Sequence, residues 1–215
     1  MRVIVVRHYK TMINKLGQIM GWGDSPRSED WQIDLAFVDG VLSKHLLKII
    51  AVYTSDLERA RQTGMYHAER RGINLVHDQA ELKEVNYGTL YKKSKKWVEK
   101  HIPEHKKDPD YVYPKGESFR QMQQRSVSFI ESLWSKHKHD TILVVVHAGV
   151  IRGLVSHFLG LPYAENLKRK ISHSYIGDFQ FKHNSCVRYN ELGQLSGFVR
   201  DKVLTIPYKI QQAGD

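Results

Sequence analysis

Two continuous apolar runs, at positions 3–6 and 142–146, dominate the hydrophobic pattern of this chain. Such runs are typical of strands that are buried on both faces of a parallel sheet. The first run is followed by Arg7 and His8, and the second is followed by His147. Because ligands of open α/β sheets bind beyond the carboxyl ends of the strands, we expect these side chains to meet at one edge. Packing at a strand end is the simpler explanation for one histidine, but it is less convincing for two in matching positions.

The rest of the pattern alternates short strands with helical stripes. A capping-box pattern at 55–58 predicts that a helix begins there, and a second one joins Ser118 to Gln121 before an apolar stripe. Further elements are predicted as helical stripes at 35–46 and 150–159 and as strands at 49–53, 74–76, 179–181 and 186–189. This alternation predicts an α/β fold of three layers, α/β/α, in which helices cover both faces of a mostly parallel central sheet.

The chain is expected to form one domain over 1–215, with a polar, basic cap or loop segment at about 89–117 and a looser tail after Val203. Its 33 basic and 23 acidic residues favour an anionic partner, which would be nucleic acid, an acidic surface or a phosphorylated small molecule. A solvated basic surface without a specific ligand is the alternative. Cys186 is the only cysteine, so an intrachain disulfide and a thiolate metal cluster are excluded. We expect a cytoplasmic protein without a signal peptide or membrane span.

Several of these residues suit a phosphoryl dianion. Arg7 and Arg59 offer guanidinium groups that grip phosphate oxygens, and the helix after His147 offers free backbone N–H groups. A neutral imidazole attacks phosphorus to form a covalent intermediate that water then resolves. The departing oxygen needs a proton, and Glu84, flanked by apolar residues, is the best candidate for the donor. Taken alone, Glu84 would be assigned to the surface.

At this point the chain resembles the histidine phosphatase superfamily, the phosphoglycerate-mutase-like fold. Six segments match the motifs of that family in family order, and they cover positions 7–152. They are Arg7-His8-Tyr9-Lys10-Thr11 with Asn14, Gly21-Trp22-Gly23-Asp24-Ser25-Pro26, Ser55-Asp56-Leu57-Glu58-Arg59-Ala60-Arg61-Gln62-Thr63, Glu84 with Gly88, Pro114-Lys115-Gly116-Glu117-Ser118, and His147-Ala148-Gly149-Val150-Ile151-Arg152.

The resemblance implies a role for each matching residue. His8 would be the phosphorylated nucleophile, and Glu84 would be the proton donor and later the base for water. Arg7, Arg59 and His147 would complete the phosphate pocket. The expected substrate-binding residues are Thr11, Asn14, Gly21 and Ala148. The implied enzyme is a phosphomonoesterase for a small phosphorylated metabolite that needs no metal and no cofactor, because positive side chains replace a metal.

Two departures from the family pattern bear on which substrate is bound and on the rate of its hydrolysis, rather than on the fold. Tyr9 replaces the small Gly that usually follows the nucleophile, where Gly permits an unusual backbone angle or a close approach of phosphate. The segment 88–92 also lacks the Trp-Glu-Gly that many phosphatase members carry. A phosphoglycerate-mutase-type phosphotransferase and a catalytically weak phospholigand-binding protein therefore stay as alternatives. The short segment between Glu84 and Pro114 favours the phosphatase.

Three other features are weighed against simpler explanations. His101 and His105 have a metal-binding helical spacing, but Pro103 between them argues against a site. His173 follows the last motif, and we consider it a candidate for a polar side chain that the chain brings back to the phosphate pocket. The lysine run at 92–96 is expected to be a solvated basic face; contact with nucleic acid and a position over the pocket are the alternatives. We expect a small-molecule partner rather than nucleic acid or membrane, and a homodimer is one alternative for the assembly.

Overall fold

The computed structural model describes residues 1–45, 47–183 and 185–193. Position 46 of the first helical stripe and the looser tail predicted after Val203 lie outside these residues. Six strands form one sheet: β1 (Arg2–Arg7), β2 (Ile49–Ser55), β3 (Val76–Gln79), β4 (Thr141–Val146), β5 (Ile176–Lys182) and β6 (Ser185–Gly193). Their order across the sheet is β3-β2-β4-β1-β5-β6. The first four strands are mutually parallel, and β5 and β6 are antiparallel to their neighbours.

The described helices are α1 (Met12–Lys15), α2 (Trp31–Lys44), α3 (Glu58–Glu69), α4 (Lys95–His101), α5 (Phe119–Ser132), α6 (Trp134–His137), α7 (Ala148–Leu159) and α8 (Tyr163–Leu167). Short 3₁₀ turns lie at Ala80–Leu82, Gly88–Leu90 and Pro103–Lys106. None of these helices is long and apolar enough to span a membrane.

Apolar side chains from the sheet pack on both of its faces. Ile4 and Val6 of β1 join a cluster with α2 and α3, whereas Val3 and Val5 join a larger cluster with α5 and α7. Successive side chains of a strand point to opposite faces, so an unbroken apolar run is needed where both faces are covered. The predicted α/β/α layers and the mostly parallel sheet are confirmed.

Two local predictions were wrong. The predicted helix is present and begins at Glu58, but the capping box at 55–58 does not form, because Leu57 is at the cap position and no side chain caps the helix. Ser55 cannot cap the helix because it is the last residue of β2, paired with Gln79 of β3. The strand predicted at 74–76 lies later in the chain, at Val76–Gln79, because its position is set by pairing with β2. The capping box of Ser118 and Gln121 is confirmed at the start of α5.

The sheet topology brings the two histidine-bearing strand ends together. β1 and β4 are adjacent and parallel, and Arg7 pairs with Val146 in the register. His8 and His147 therefore follow neighbouring strands at the same edge, as the apolar runs predict. The start of α7 and the end of β2 lie at this edge too.

Candidate active site

The ring of His8 is buried and its orientation is fixed by a backbone carbonyl. Its Nδ1 lies 2.6 Å from the carbonyl oxygen of Tyr9, and its backbone N–H donates to the carbonyl of Val146 at 2.9 Å. A carbonyl can only accept a hydrogen bond, so Nδ1 carries the ring proton in the neutral tautomer. The Nε2 atom of His8 therefore keeps its lone pair, which is the state that a nucleophilic imidazole needs.

Two further imidazoles flank His8. The ring centre of His147 lies 5.0 Å from that of His8, and the ring centre of His173 lies 5.2 Å from it. His173 Nδ1 donates to the carbonyl of His8 at 2.9 Å, which brings the candidate after the last motif into the site. Both ring nitrogens of His147 are buried, and they have no hydrogen-bond partner among the described residues. Buried polar atoms without partners are costly, so they indicate a place where a ligand binds.

Arg7 and Arg59 place two guanidinium groups beside these rings. Arg7 donates to the carbonyl of Ile171 at 2.5 Å, and Arg59 donates to the carbonyls of Gly21 and Gly23 at 2.6 and 2.8 Å. Among the described residues neither guanidinium pairs with a carboxylate, and each has a buried Nε without a partner. Burial lowers the pKa of Arg7 to about 9 and that of Arg59 to about 10. Both side chains stay charged at neutral pH, and an anion bound between them would offset the repulsion between the two guanidinium groups.

Burial, together with these positive charges, keeps the three histidines neutral. Burial, followed by repulsion from Arg59, holds the pKa values of His8 and His147 well below the usual value. Burial and repulsion from Arg7 do the same for the pKa of His173. The pocket thus combines permanent guanidinium charge with a neutral, tautomer-fixed imidazole.

Glu84 reaches this edge from a loop after the 3₁₀ turn at Ala80–Leu82, rather than directly from a strand. Its carboxylate accepts from the N–H of Val85 at 2.9 Å and from the N–H of Gly149 at 3.1 Å. A Cβ atom on Gly149 would lie 2.1 Å from Oε1 of Glu84, so this contact requires glycine. Because Gly149 is in the first turn of α7, the carboxylate also lies near the positive end of that helix.

Arg125 holds the Glu84 loop, and no local pattern in the sequence marks this residue. Its guanidinium donates to the carbonyls of Glu81, Lys83 and Glu84, at 2.6, 2.8 and 3.0 Å, and pairs with Glu117 at 2.6 Å. The carboxylate of Glu117 also accepts from the N–H of Asn86 at 2.9 Å. Glu117, which belongs to one of the six matching segments, therefore supports the Glu84 loop.

The four expected substrate-binding residues occupy different positions. Asn14 and Ala148 line an open cleft of about 540 Å³ together with Arg7, Arg152 and His173. Gly21 supplies the carbonyl that holds Arg59. Thr11 is fully buried, caps α1 and donates its hydroxyl to Oδ1 of Asn14 at 3.0 Å. Their roles toward a substrate stay predictions.

Tyr9 occupies the usual Gly position without a positive φ. Its hydroxyl donates to Gln62 at 2.8 Å, its backbone N–H donates to Thr63, and its ring packs edge-on against Trp31. The backbone here does not need glycine, and the phenol is engaged beside the pocket by α3.

The remaining sequence candidates are the histidine pair His101 and His105 and the lysine run at 92–96. His101 ends α4 and stacks on Trp97, whereas His105 lies beyond Pro103 with Nδ1 3.1 Å from the hydroxyl of Tyr113. No group of side chains suited to hold a metal ion is found in the described part of the chain. The lysine run is exposed and Lys93 lies over the ring of Trp97, but Lys95 also lines the open cleft that contains Arg7.

Comparison with known proteins gives a consistent result. The family model of branch 1 of the histidine phosphatase superfamily matches residues 3–191. A metal-independent phosphoserine phosphatase from Arabidopsis thaliana is 32% identical over 158 residues, which cover 71% of this chain and 66%, just under two thirds, of that protein. A probable phosphoglycerate mutase from Serratia proteamaculans is 30% identical over 178 residues, 79% of this chain and 80% of that one.

Among solved structures, the YhfR protein of Bacillus stearothermophilus superposes with a TM-score of 0.75 at 23% identity. The superposition covers 86% of this chain and 93% of that protein, and it supports the fold. The near-complete family match agrees with the two histidines, the two arginines and the carboxylate gathered at one sheet edge. This chain belongs to branch 1 of the histidine phosphatase superfamily.

Proposed function

We propose that this protein is a phosphomonoesterase that hydrolyses a small phosphorylated metabolite through a covalent phosphohistidine at His8. The observation that carries the proposal is the neutral imidazole with its ring proton held on Nδ1, set among Arg7, Arg59 and the unpartnered nitrogens of His147. This arrangement offers a nucleophile and positive charge for the transferred group in one buried pocket. Membership of the family supports phosphatase activity.

In the first step, the phosphoryl oxygens bind Arg7, Arg59 and His147. The Nε2–P bond to His8 forms while the ester P–O bond breaks, and Glu84 gives its proton to the departing alcohol oxygen. Arg7 and Arg59 neutralise the charge on the phosphoryl oxygens throughout. The backbone N–H of Gly149 and the carbonyl contacts of Arg125 keep Glu84 in place.

In the second step, a water molecule replaces the alcohol. Glu84, now a carboxylate, takes one proton from the water as its oxygen bonds to phosphorus. The Nε2–P bond breaks, inorganic phosphate leaves, and His8 and Glu84 return to their starting states. No metal and no cofactor is required in this scheme, because the guanidinium groups supply the positive charge.

Two alternatives are kept. Phosphotransfer of the phosphoglycerate-mutase type is favoured by the name of the Serratia relative. It would return the phosphoryl group of His8 to a second hydroxyl group instead of water. A catalytically weak phospholigand-binding protein was suggested by Tyr9, and the engagement of the Tyr9 hydroxyl with Gln62 weakens that support.

The proposal is tested with an aryl phosphate and a panel of phosphorylated metabolites in excess chelator. We expect release of inorganic phosphate that persists in chelator and is inhibited by vanadate. The exposed His139 provides a matched control, because His139→Ala should retain the activity that His8→Ala loses. Loss of activity on chelation, restored by a divalent ion, would contradict the metal-free scheme. Transfer to an added alcohol without phosphate release would favour the mutase.

A further inference from the structure

The carbonyl that fixes the ring proton of His8 belongs to Tyr9, which stands where the family usually has glycine. The peptide group before this carbonyl is held on both sides. His173 Nδ1 donates to the carbonyl of His8 at 2.9 Å, and the backbone N–H of Tyr9 donates to Oγ1 of Thr63 at 3.0 Å. Because peptide groups are planar, the direction of the Tyr9 carbonyl then depends only on the two backbone rotations of Tyr9.

The first of these rotations is set by the side chain of Tyr9. The Cβ atom and the carbonyl carbon turn together about the N–Cα bond, so a side chain that is held in place also holds the carbonyl carbon. A glycine at this position would lack that restraint. The second rotation is limited by Lys10, whose carbonyl accepts from the N–H and the hydroxyl of Ser28 at 3.0 and 2.9 Å.

Packing and hydrogen bonds both hold the side chain of Tyr9. The residue is buried, and its ring packs edge-on against Trp31 with ring centres 5.6 Å apart. Its hydroxyl donates to Oε1 of Gln62 at 2.8 Å, and the same oxygen accepts from Nη2 of Arg27 at 2.6 Å. Nε2 of Gln62 donates to Glu58 at 2.5 Å. The amide of Gln62 is therefore engaged at both ends, which gives the phenol a fixed partner on α3.

We propose that Tyr9 is a positioning residue for His8. Its anchored side chain keeps the Tyr9 carbonyl on Nδ1 of His8, which leaves Nε2 free to attack phosphorus. The effect on catalysis rests on the proposed function, whereas the effect on the ring proton does not. A neutral imidazole without this acceptor would carry its proton on either nitrogen. A ring with its proton on Nε2 has no lone pair there and cannot form the Nε2–P bond.

The test measures where the ring proton of His8 lies. Nitrogen NMR of the full chain, labelled in its histidine rings and assigned by comparison with His8→Ala, distinguishes a protonated from an unprotonated ring nitrogen. In the wild-type protein at neutral pH we expect the proton on Nδ1. In Tyr9→Gly the two nitrogen signals should move toward each other, because both tautomers are then populated. Tyr9→Phe keeps the ring packing and loses only the hydroxyl bond, so it should give a smaller shift, and it serves as the test if Tyr9→Gly does not fold.

Pre-steady-state phosphorylation of His8 gives a second measurement. Tyr9→Phe should slow this step about threefold to tenfold, the range for the loss of one neutral hydrogen bond. The dissociation constant of the substrate should not change, because Arg7 and Arg59 still hold the phosphoryl group. The slowing should be equal for an alkyl and a nitrophenyl phosphate, since a misplaced nucleophile acts independently of the leaving group. In a Gln62→Met background, Tyr9→Phe should cause no further loss, because the bond between the two side chains is already absent.

Tyr66→Phe is the matched control, because it removes a phenol hydroxyl farther along α3, where Tyr66 packs against His67 and Arg70. It should keep the wild-type tautomer and rate, and an equal loss in this variant would overturn the proposal. A ring proton that stays on Nδ1 in Tyr9→Gly would also overturn it, because the backbone alone would then hold the carbonyl. Absence of turnover in the wild-type protein, with the tautomer shift intact, would instead overturn the phosphatase and leave the role of Tyr9 in place.

Discussion

Glu84 shows which properties of a candidate catalytic residue can be predicted from the sequence and which cannot. Its residue type and its spacing to Gly88 mark it through the family motif, but its surroundings are set by residues distant in the chain. Its carboxylate is held by Gly149, and its loop is held by Arg125. A proton donor must be both near the departing oxygen and firmly placed, and these contacts would provide the placement for the role proposed for Glu84.

The proposed role of Glu84 as proton donor predicts a dependence on the leaving group. Glu84→Gln should reduce phosphorylation of His8 by an alkyl phosphate about a hundredfold or more, because the departing alkoxide needs a proton. With a nitrophenyl phosphate the loss should be much smaller, since nitrophenolate leaves without protonation. Pre-steady-state phosphorylation with the two substrates is the measurement. Equal losses would mean that Glu84 only positions the substrate.

Residues at strand ends could be predicted, whereas the supporting residue Arg125 could not. Arg7, His8 and His147 follow apolar runs, so their common edge follows from the rules for parallel sheets. Arg125 lies on the partly exposed side of an amphipathic helix and resembles any surface arginine in the sequence. Its partners are backbone carbonyls about 40 residues away, which no local pattern encodes.

At the scale of elements, the start of α7 links the fold to the chemistry. His147 is the cap residue, Ala148 lines the cleft, and Gly149 contacts Glu84.

Helix starts were predicted well where the capping residue is free and poorly where the same residue is part of a strand. Ser118 caps α5, but Ser55 pairs in the sheet. Strand pairing depends on a partner elsewhere in the chain, so the local pattern at 55–58 was misleading.

Gly149 gives a prediction at this scale. Gly149→Ala should reduce activity toward an alkyl phosphate on the order of a hundredfold, because the new Cβ would displace the carboxylate of Glu84. Stability should change little, since alanine favours the helix. Steady-state kinetics and urea unfolding check both results.

The control for this variant lies in the same helix. A Cβ atom on Gly153 would meet its nearest neighbour, Gln123, at an ordinary 3.5 Å, so Gly153→Ala should retain activity. If both alanine variants are fully active, the contact between Gly149 and Glu84 does not matter for catalysis.

At the scale of the whole molecule, four histidines with lowered pKa values make the fold sensitive to acid. The pKa values of His8, His147, His173 and His67 all lie below the usual value, chiefly because of burial. A histidine of this kind stabilises the fold fully above its unfolded pKa of about 6.5. That contribution is lost as the pH falls below 6.5 toward the folded pKa, because the unfolded chain then binds more protons.

The free energy of unfolding should therefore fall between pH 6.5 and 5. Each such histidine contributes a slope of up to about 1.4 kcal/mol per pH unit. The pKa of Asp30 is lowered to about 2 by its hydrogen bonds to Lys10 and Ser28, so this residue changes the free energy of unfolding only at lower pH. Urea unfolding at several pH values measures the slope, and His67→Gln, outside the site, should make it shallower. A free energy of unfolding that stays constant over this range would refute the account.

The covalent phosphohistidine is the central claim for the molecule as a whole. The most direct measurement mixes the protein with a substrate labelled in its phosphoryl group, quenches within one turnover and maps the label. The account predicts an acid-labile, base-stable label on His8, together with a loss of turnover of about a thousandfold or more in His8→Ala. A label on another residue, or near-normal turnover in His8→Ala, would contradict it.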